Sequence, residues 1–181
     1  MRILFFWGMI FFSASALSMP AQVLLIRHAE KPESGNDLNA QGYARANALP
    51  AFFIKDPIVN RYGPIASIYA MKAASDDSSN RPVETVIPTA KALGLVIHAD
   101  YPKKMIAPLI SEIKNSTEYS GKTVLICWEH KMIPLIAQGL GFLSAPLKWD
   151  GSVFNQVWVL LFSPNDGPAF EVLNEHVLSS D

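Results

Sequence analysis

The sequence predicts an α/β fold: a three-layer sandwich in which helices flank a mostly parallel, mixed sheet. Three observations carry that expectation. Short apolar runs rich in β-formers alternate along the chain with segments of helical periodicity. Helical crossovers between successive strands make those strands parallel and cover the sheet. The last two strand-like segments, by contrast, are joined too closely for a crossover and pair as a hairpin, which makes the sheet mixed.

Each element follows from local residues. Val23-Leu24-Leu25-Ile26 is a short apolar run that reads as a buried strand. Asn39 caps a helix running toward Phe53, with Tyr43, Ala46 and Leu49 at helical spacing, and Pro50 is expected to kink or end it. Residues 65–70 form a second strand. Pro82 suits a first helical turn, and residues 83–93 continue that helix to Gly94, with a bend at Pro88. Met105, Leu109 and Ile113 share a face of a third helix over residues 105–114. Residues 123–128 are the strongest strand, and residues 133–140 a helix stopped by Gly141. Residues 155–162 and 170–173 are the closing strands, on either side of the turn-rich stretch 163–168.

Composition narrows the function. The 181 residues carry 15 Lys+Arg against 16 Asp+Glu, a formal net charge of −1. That length suits one domain with a leader, and half the residues are hydrophobic, as a folded core needs. Near-neutral charge without a Lys/Arg run excludes a broad footprint for nucleic acid. Cys127 is the lone cysteine, so no internal disulfide forms, and its apolar run makes it a small buried hydrophobe.

Residues 1–18 read as a secretory signal peptide: Arg2, then an uncharged apolar run over residues 3–12, then small and polar residues. Ala14-x-Ala16 and Ala16-x-Ser18 both offer a cleavage pattern, and residues 19–181 are the domain. The apolar run is half of the roughly 20 residues that span a bilayer, so no stable membrane anchor is expected. The expected destination is the periplasm or the outside.

In open α/β sheets the site lies at the carboxyl ends of the strands. Arg27-His28 follows the first strand and Glu129-His130 follows the strand at 123–128, so both histidines emerge at one sheet edge. Arg81 stands just before Pro82, where a helix start favours an anion. Two arginines, two histidines and a helix start describe a pocket for an oxygen-rich dianion. Phosphate leads, because guanidinium forks match its geometry. The four histidines, His28, His98, His130 and His176, have no ligand-like spacing, so neither a metal site nor another cofactor is expected.

Leu25-Ile26-Arg27-His28-Ala29-Glu30-Lys31, Leu38-Asn39-x-x-Gly42-x-x-Arg45-Ala46, Arg81-Pro82-Val83-Glu84-Thr85 and Val124-Leu125-Ile126-Cys127-Trp128-Glu129-His130 occur in that order. Together they resemble the motif blocks of the histidine phosphatase superfamily, which includes the phosphoglycerate mutases. The resemblance spans essentially the whole domain. It implies a phosphoglycerate mutase-like fold and a metal-independent, cofactor-free phosphatase acting on a small phosphorylated substrate. By the same resemblance His28 is the nucleophile that forms a phosphohistidine, while Arg27, Arg81 and His130 bind the phosphoryl oxygens.

The general acid is open. Some family members take it from the residue after the second histidine, which here is Lys131. Glu129 is favoured from its place at the sheet edge. Asp100, Glu112 and Glu118 lie in the region other members use. Lys31 and Glu84 are expected at the substrate rim, with Glu30, Asn155 and the Trp149-Asp150 pair nearby. Three other readings stand beside the phosphatase: a non-catalytic phospholigand-binding module of this fold, a mutase-type phosphotransferase, and a phosphatase acting on protein phosphohistidine.

Overall fold

A strand buried at every position has cover on both faces, and β1 (Gln22–Arg27) and β4 (Thr123–Trp128) are such strands. The computed structural model describes residues 19–75, 79–163, 167–179 and 181; the leader-like residues 1–18 and the Asp76-Asp77 pair lie outside them. The elements run β1 (Gln22–Arg27), α1 (Ala40–Lys55), β2 (Ile65–Ala70), α2 (Arg81–Leu93), β3 (Ile97–His98), α3 (Ile106–Asn115), β4 (Thr123–Trp128), α4 (Ile133–Gly139), β5 (Gln156–Ser163) and β6 (Gly167–Asn174). A 3₁₀ turn at Thr117–Tyr119 precedes β4.

The six strands form one sheet in the order β3-β2-β4-β1-β5-β6. β1 to β4 are parallel, β5 runs antiparallel to β1, and β6 pairs with β5 as a hairpin. The expected three-layer α/β sandwich with a mixed sheet is what the chain forms. Alternate residues of each central strand serve opposite layers. Leu24, Ile26, Leu125, Cys127 and Val159 pack under α1 and α2 through Leu49, Phe53, Val86 and Ala90. Val23, Leu25, Val124, Ile126 and Leu160 pack under α3 and α4 through Leu109, Ile113, Ile133 and Ile136. Cys127 has no accessible surface, and burial pushes its thiol well up from the ordinary value. Among the described residues no helix is long and apolar enough to cross a membrane.

Local signals act largely as expected. The Asn39 side chain accepts from the Gly42 N–H at 2.8 Å and opens α1. Gly94, at φ +67°, closes α2 in the left-handed region. Three points differ from expectation. Pro50 does not end α1, which runs on to Lys55, because Leu49 and Phe53 are buried against the sheet and hold the turn despite one missing N–H. The two-residue edge strand β3 was not expected, and β6 starts at Gly167 rather than Phe170.

Candidate active site

Strand register brings the candidate residues together. In the parallel β1–β4 pair Arg27 lies opposite Trp128, and the His28 N–H donates to the Trp128 carbonyl at 3.2 Å. The next residues of the two strands, His28 and Glu129-His130, therefore leave the sheet side by side at its carboxyl edge. They line a pocket of about 350 Å³ together with Arg27, Lys31, Lys72, Ser79, Arg81 and Lys103. Two arginines and two histidines, distant in the chain, meet there.

Both guanidiniums are fixed by backbone carbonyls. Arg27 Nη1 donates to the carbonyls of Gly151 at 2.7 Å and Val153 at 3.2 Å, and its Cζ stands 3.7 Å from the Phe154 ring centroid. Its Nε is buried and has no partner among the described residues. Burial lowers the Arg27 pKa to about 10, against the pull of Glu129, Glu30 and Asp150, so the cation persists at neutral pH. Arg81 opens α2, and its Nε donates to the Asp37 carbonyl at 3.1 Å while Nη2 donates to the Gly35 carbonyl.

The His28 ring is prepared as a neutral base. Its Nδ1 lies 2.7 Å from the Ala29 carbonyl, which can only accept, so Nδ1 carries the proton and Nε2 the lone pair. Burial, with Arg27, Arg81 and His130 nearby, lowers its pKa to about 4. His130 is also held below the ordinary histidine value, first by burial and then by Arg27, with Glu129 pulling the other way. Its Nδ1 stands 3.1 Å from Glu129 Oε1 but is not aligned for a hydrogen bond. Glu129 Oε2 lies 3.2 Å from Lys103 Nζ and accepts from the Lys131 N–H at 3.2 Å.

Other expected residues take different places. Lys31 lines the pocket. Glu84 does not: it accepts from the Leu38 N–H and the Tyr43 hydroxyl, both at 2.9 Å, and so fastens the loop after β1 to α2. Glu30 turns away onto Arg45, whose guanidinium also meets Glu175 and Asp181. Asp100, Glu112 and Glu118 do not line the pocket; Glu112 accepts from the Tyr69 and Tyr101 hydroxyls instead. Trp149 and Asp150 shape the turn that grips Arg27, through Trp149 Nε1 on the Val153 carbonyl and Asp150 Oδ1 on Ser152. Asn155 borders the Arg45 cluster, and His98 stacks on Tyr69 at the β3 edge. Among the described residues no three His, Cys, Asp or Glu side chains gather to hold a metal ion.

Sequence reasoning missed Lys72, Ser79 and Lys103. Lys72 was within reach of the rule used for His28 and His130, since it stands just past the carboxyl end of β2. No pattern marked the other two.

No family model matches the chain, and no curated protein matches it. Solved structures do match its fold. The protein histidine phosphatase SixA complexed with tungstate is 13% identical, with 85% of this chain and 97% of that one covered at a TM-score of 0.58. A mycobacterial glucosyl-3-phosphoglycerate phosphatase is 12% identical over 85% of this chain and 98% of that one, at 0.55. A phosphoglycerate mutase from Plasmodium falciparum is 15% identical over 87% and 92%, at 0.53. The chain has the fold that histidine phosphatases and phosphoglycerate mutases share.

Proposed function

We propose that this protein hydrolyses phosphomonoesters through a phosphohistidine on His28. One observation carries the proposal: Arg27, His28, Arg81 and His130 line a single pocket, with the His28 ring held neutral by burial and turned by its Nδ1 contact to Ala29 so that Nε2 keeps the lone pair. The Nε2 lone pair attacks phosphorus in line and the P–O bond to the alcohol breaks, while Glu129 gives that oxygen its proton. Arg27, Arg81 and His130 take the three equatorial oxygens as charge develops. Water then attacks the phosphohistidine, giving its proton to Glu129; the N–P bond breaks, phosphate leaves and His28 recovers its lone pair. No step calls on a metal.

A second reading, a phosphoramidate such as protein phosphohistidine as substrate, is favoured by one feature. Glu129 Oε2 is already engaged by Lys103 Nζ and the Lys131 N–H, which favours the ionised carboxylate, and a nitrogen leaving group depends less on a strong acid. The leader-like sequence of residues 1–18 supports work outside the cytoplasm, in the periplasm or beyond the cell. N-terminal sequencing of exported material beginning near Leu17 or Met19 agrees with that placement, and Met1 contradicts it.

The test is release of p-nitrophenol from p-nitrophenyl phosphate in EDTA, with His28→Ala as the control. Turnover that depends on His28 and survives chelation supports the hydrolase. Activity lost with EDTA and restored by zinc overturns the metal-free route. Tight phosphate binding with no turnover supports the non-catalytic module instead, and phosphoryl transfer to a bound alcohol the mutase.

A further inference from the structure

The block Leu38-Asn39-x-x-Gly42-x-x-Arg45-Ala46 supplies nothing to the phosphoryl pocket, yet it carries a buried cation. Every N–H donor of the Arg45 fork goes to a carboxylate. Nε donates to Glu30 Oε1 and Oε2 at 3.0 and 3.1 Å, and Nη2 donates to Glu30 Oε1 at 2.7 Å. Nη1 donates to Glu175 at 3.2 Å and to Asp181 at 3.0 Å, and Nη2 also donates to Asp181. A saturated fork has no donor left for a ligand. Stability alone does not account for it either, because apolar packing of the same volume often matches a buried ion group.

What the cluster holds is the segment that follows the proposed nucleophile. His28 Nδ1 lies 2.7 Å from the Ala29 carbonyl, which belongs to the Ala29–Glu30 peptide. That peptide is gripped from both sides. On one, the Ala29 N–H donates to Thr85 Oγ1 at 2.9 Å. On the other, the Glu30 side chain is tied to Arg45, and the Glu30 carbonyl accepts from the Asn39 N–H at 3.1 Å. Gly42 lets α1 come this close: a Cβ there would stand 2.2 Å from the Glu30 carbonyl oxygen. Arg45 is itself set by residues beyond β6, where Asp181 Oδ2 also accepts from the Val177 and Leu178 N–H groups at 2.9 and 3.0 Å. Turning the Ala29–Glu30 peptide would take its carbonyl off Nδ1. The ring would then be free to carry its proton on Nε2, a tautomer with no lone pair at the attacking nitrogen.

We infer that Arg45 is a positioning residue for His28: through Glu30 it keeps the Ala29 carbonyl against Nδ1 and so selects the tautomer whose Nε2 can attack. This deepens the phosphohistidine reading and rests on it for its catalytic consequence.

Glu30→Ala is the decisive variant. Arg45 then keeps Glu175 and Asp181, whereas Arg45→Met would strand three buried carboxylates and endanger the fold. Asp181→Ala, which leaves the Glu30 pair intact, is the second variant, and circular dichroism establishes that each is folded. In protein labelled with nitrogen-15 histidine, the ring signals absent from His28→Ala identify His28. At pH 7 the native chain should show a neutral ring protonated at Nδ1. In Glu30→Ala both ring nitrogens should move toward the average of the two tautomers, and in Asp181→Ala they should move the same way by less. Glu30→Gln, whose amide oxygen still accepts from Arg45, should keep the native pattern. Turnover of p-nitrophenyl phosphate by Glu30→Ala should fall about a hundredfold in kcat, the scale of a misplaced reacting group, with KM unchanged. A native tautomer in the folded variants overturns the positioning role, and turnover that still requires His28 then leaves the phosphatase standing. A tautomer that shifts as expected while turnover ignores His28 keeps the positioning and overturns the phosphatase reading.

Discussion

The Thr85 hydroxyl accepts a hydrogen bond from the backbone N–H of Ala29 at 2.9 Å, so α2 grips the residue that follows the proposed nucleophile. The same hydroxyl donates to the Arg81 carbonyl at 2.7 Å. One side chain thus sets the loop after β1 against the first turn of α2, and with it the distance between His28 and Arg81. Thr85 is 1% exposed, so a lost partner is not replaced by water. Thr85→Val should cost about 1–3 kcal/mol of stability. It should also lower kcat about tenfold, equivalent to about 1.4 kcal/mol in the barrier. Denaturant unfolding and steady-state kinetics check both; unchanged kcat with reduced stability would leave Thr85 a packing residue only.

The pH profile should carry the signature of a buried neutral imidazole. The proposed nucleophile, His28, attacks unprotonated, and its pKa is lowered from 6.5 to about 4, first by burial and then by neighbouring cations. The acid limb of kcat/KM for the free enzyme is therefore expected near pH 4 rather than near 6.5. Stability has a linked sign. The unfolded chain binds the extra proton between pH 6.5 and 4, so the contribution of His28 is present above that window and lost as pH falls through it. An acid limb at 6.5 that disappears in His130→Ala would move the critical ionisation to His130.

A second ionisation works in the opposite direction. Glu175 shares Arg45 with Glu30 and Asp181, three carboxylates around one guanidinium that is 3% exposed. Burial pushes its pKa from 4.5 up to about 8, opposed by Arg45 and reinforced by Asp181 and Glu30. A folded pKa above the unfolded value gives stability that is full below pH 4.5 and is lost as pH rises through 8. Glu175→Gln should match the wild type in thermal melts at pH 5 and exceed it by several degrees at pH 9. Equal melting temperatures at pH 9 would show that Glu175 is ionised without cost.

Five of the six strands, the order of the helices and the two strand-end histidines were legible in the sequence. β1 and β4 are buried at every position and carry the apolar runs 23–26 and 124–128, a pattern that two covering layers impose. The site's outer parts were not legible. Arg27 is held by carbonyls of Gly151 and Val153 and by Phe154, a loop grip that any residue type supplies through its backbone. Lys103 follows an edge strand of two residues, too short for periodicity to reveal, so nothing placed it near β4. Glu84 carried a charge suited to a rim, but the backbone N–H of Leu38 and the Tyr43 hydroxyl claim it.

Leaving-group chemistry tests Glu129. Its carboxylate stands beside His130 and Lys103 in the pocket wall. Glu129→Gln should slow alkyl phosphates about a hundredfold, the lower end for general acid catalysis, and p-nitrophenyl phosphate far less. A plot of rate against leaving-group pKa should steepen in the variant. Equal slowing of both substrates would assign the proton transfer to another group.

The central claim is covalent chemistry on one ring. Rapid acid-free quenching during turnover, followed by mass spectrometry of the peptides, locates the phosphorus directly. The account predicts an acid-labile phosphoryl group on His28, formed at the rate of turnover and absent from His28→Ala. Continued turnover with no phosphorus on His28, or with the label on His130, would contradict it.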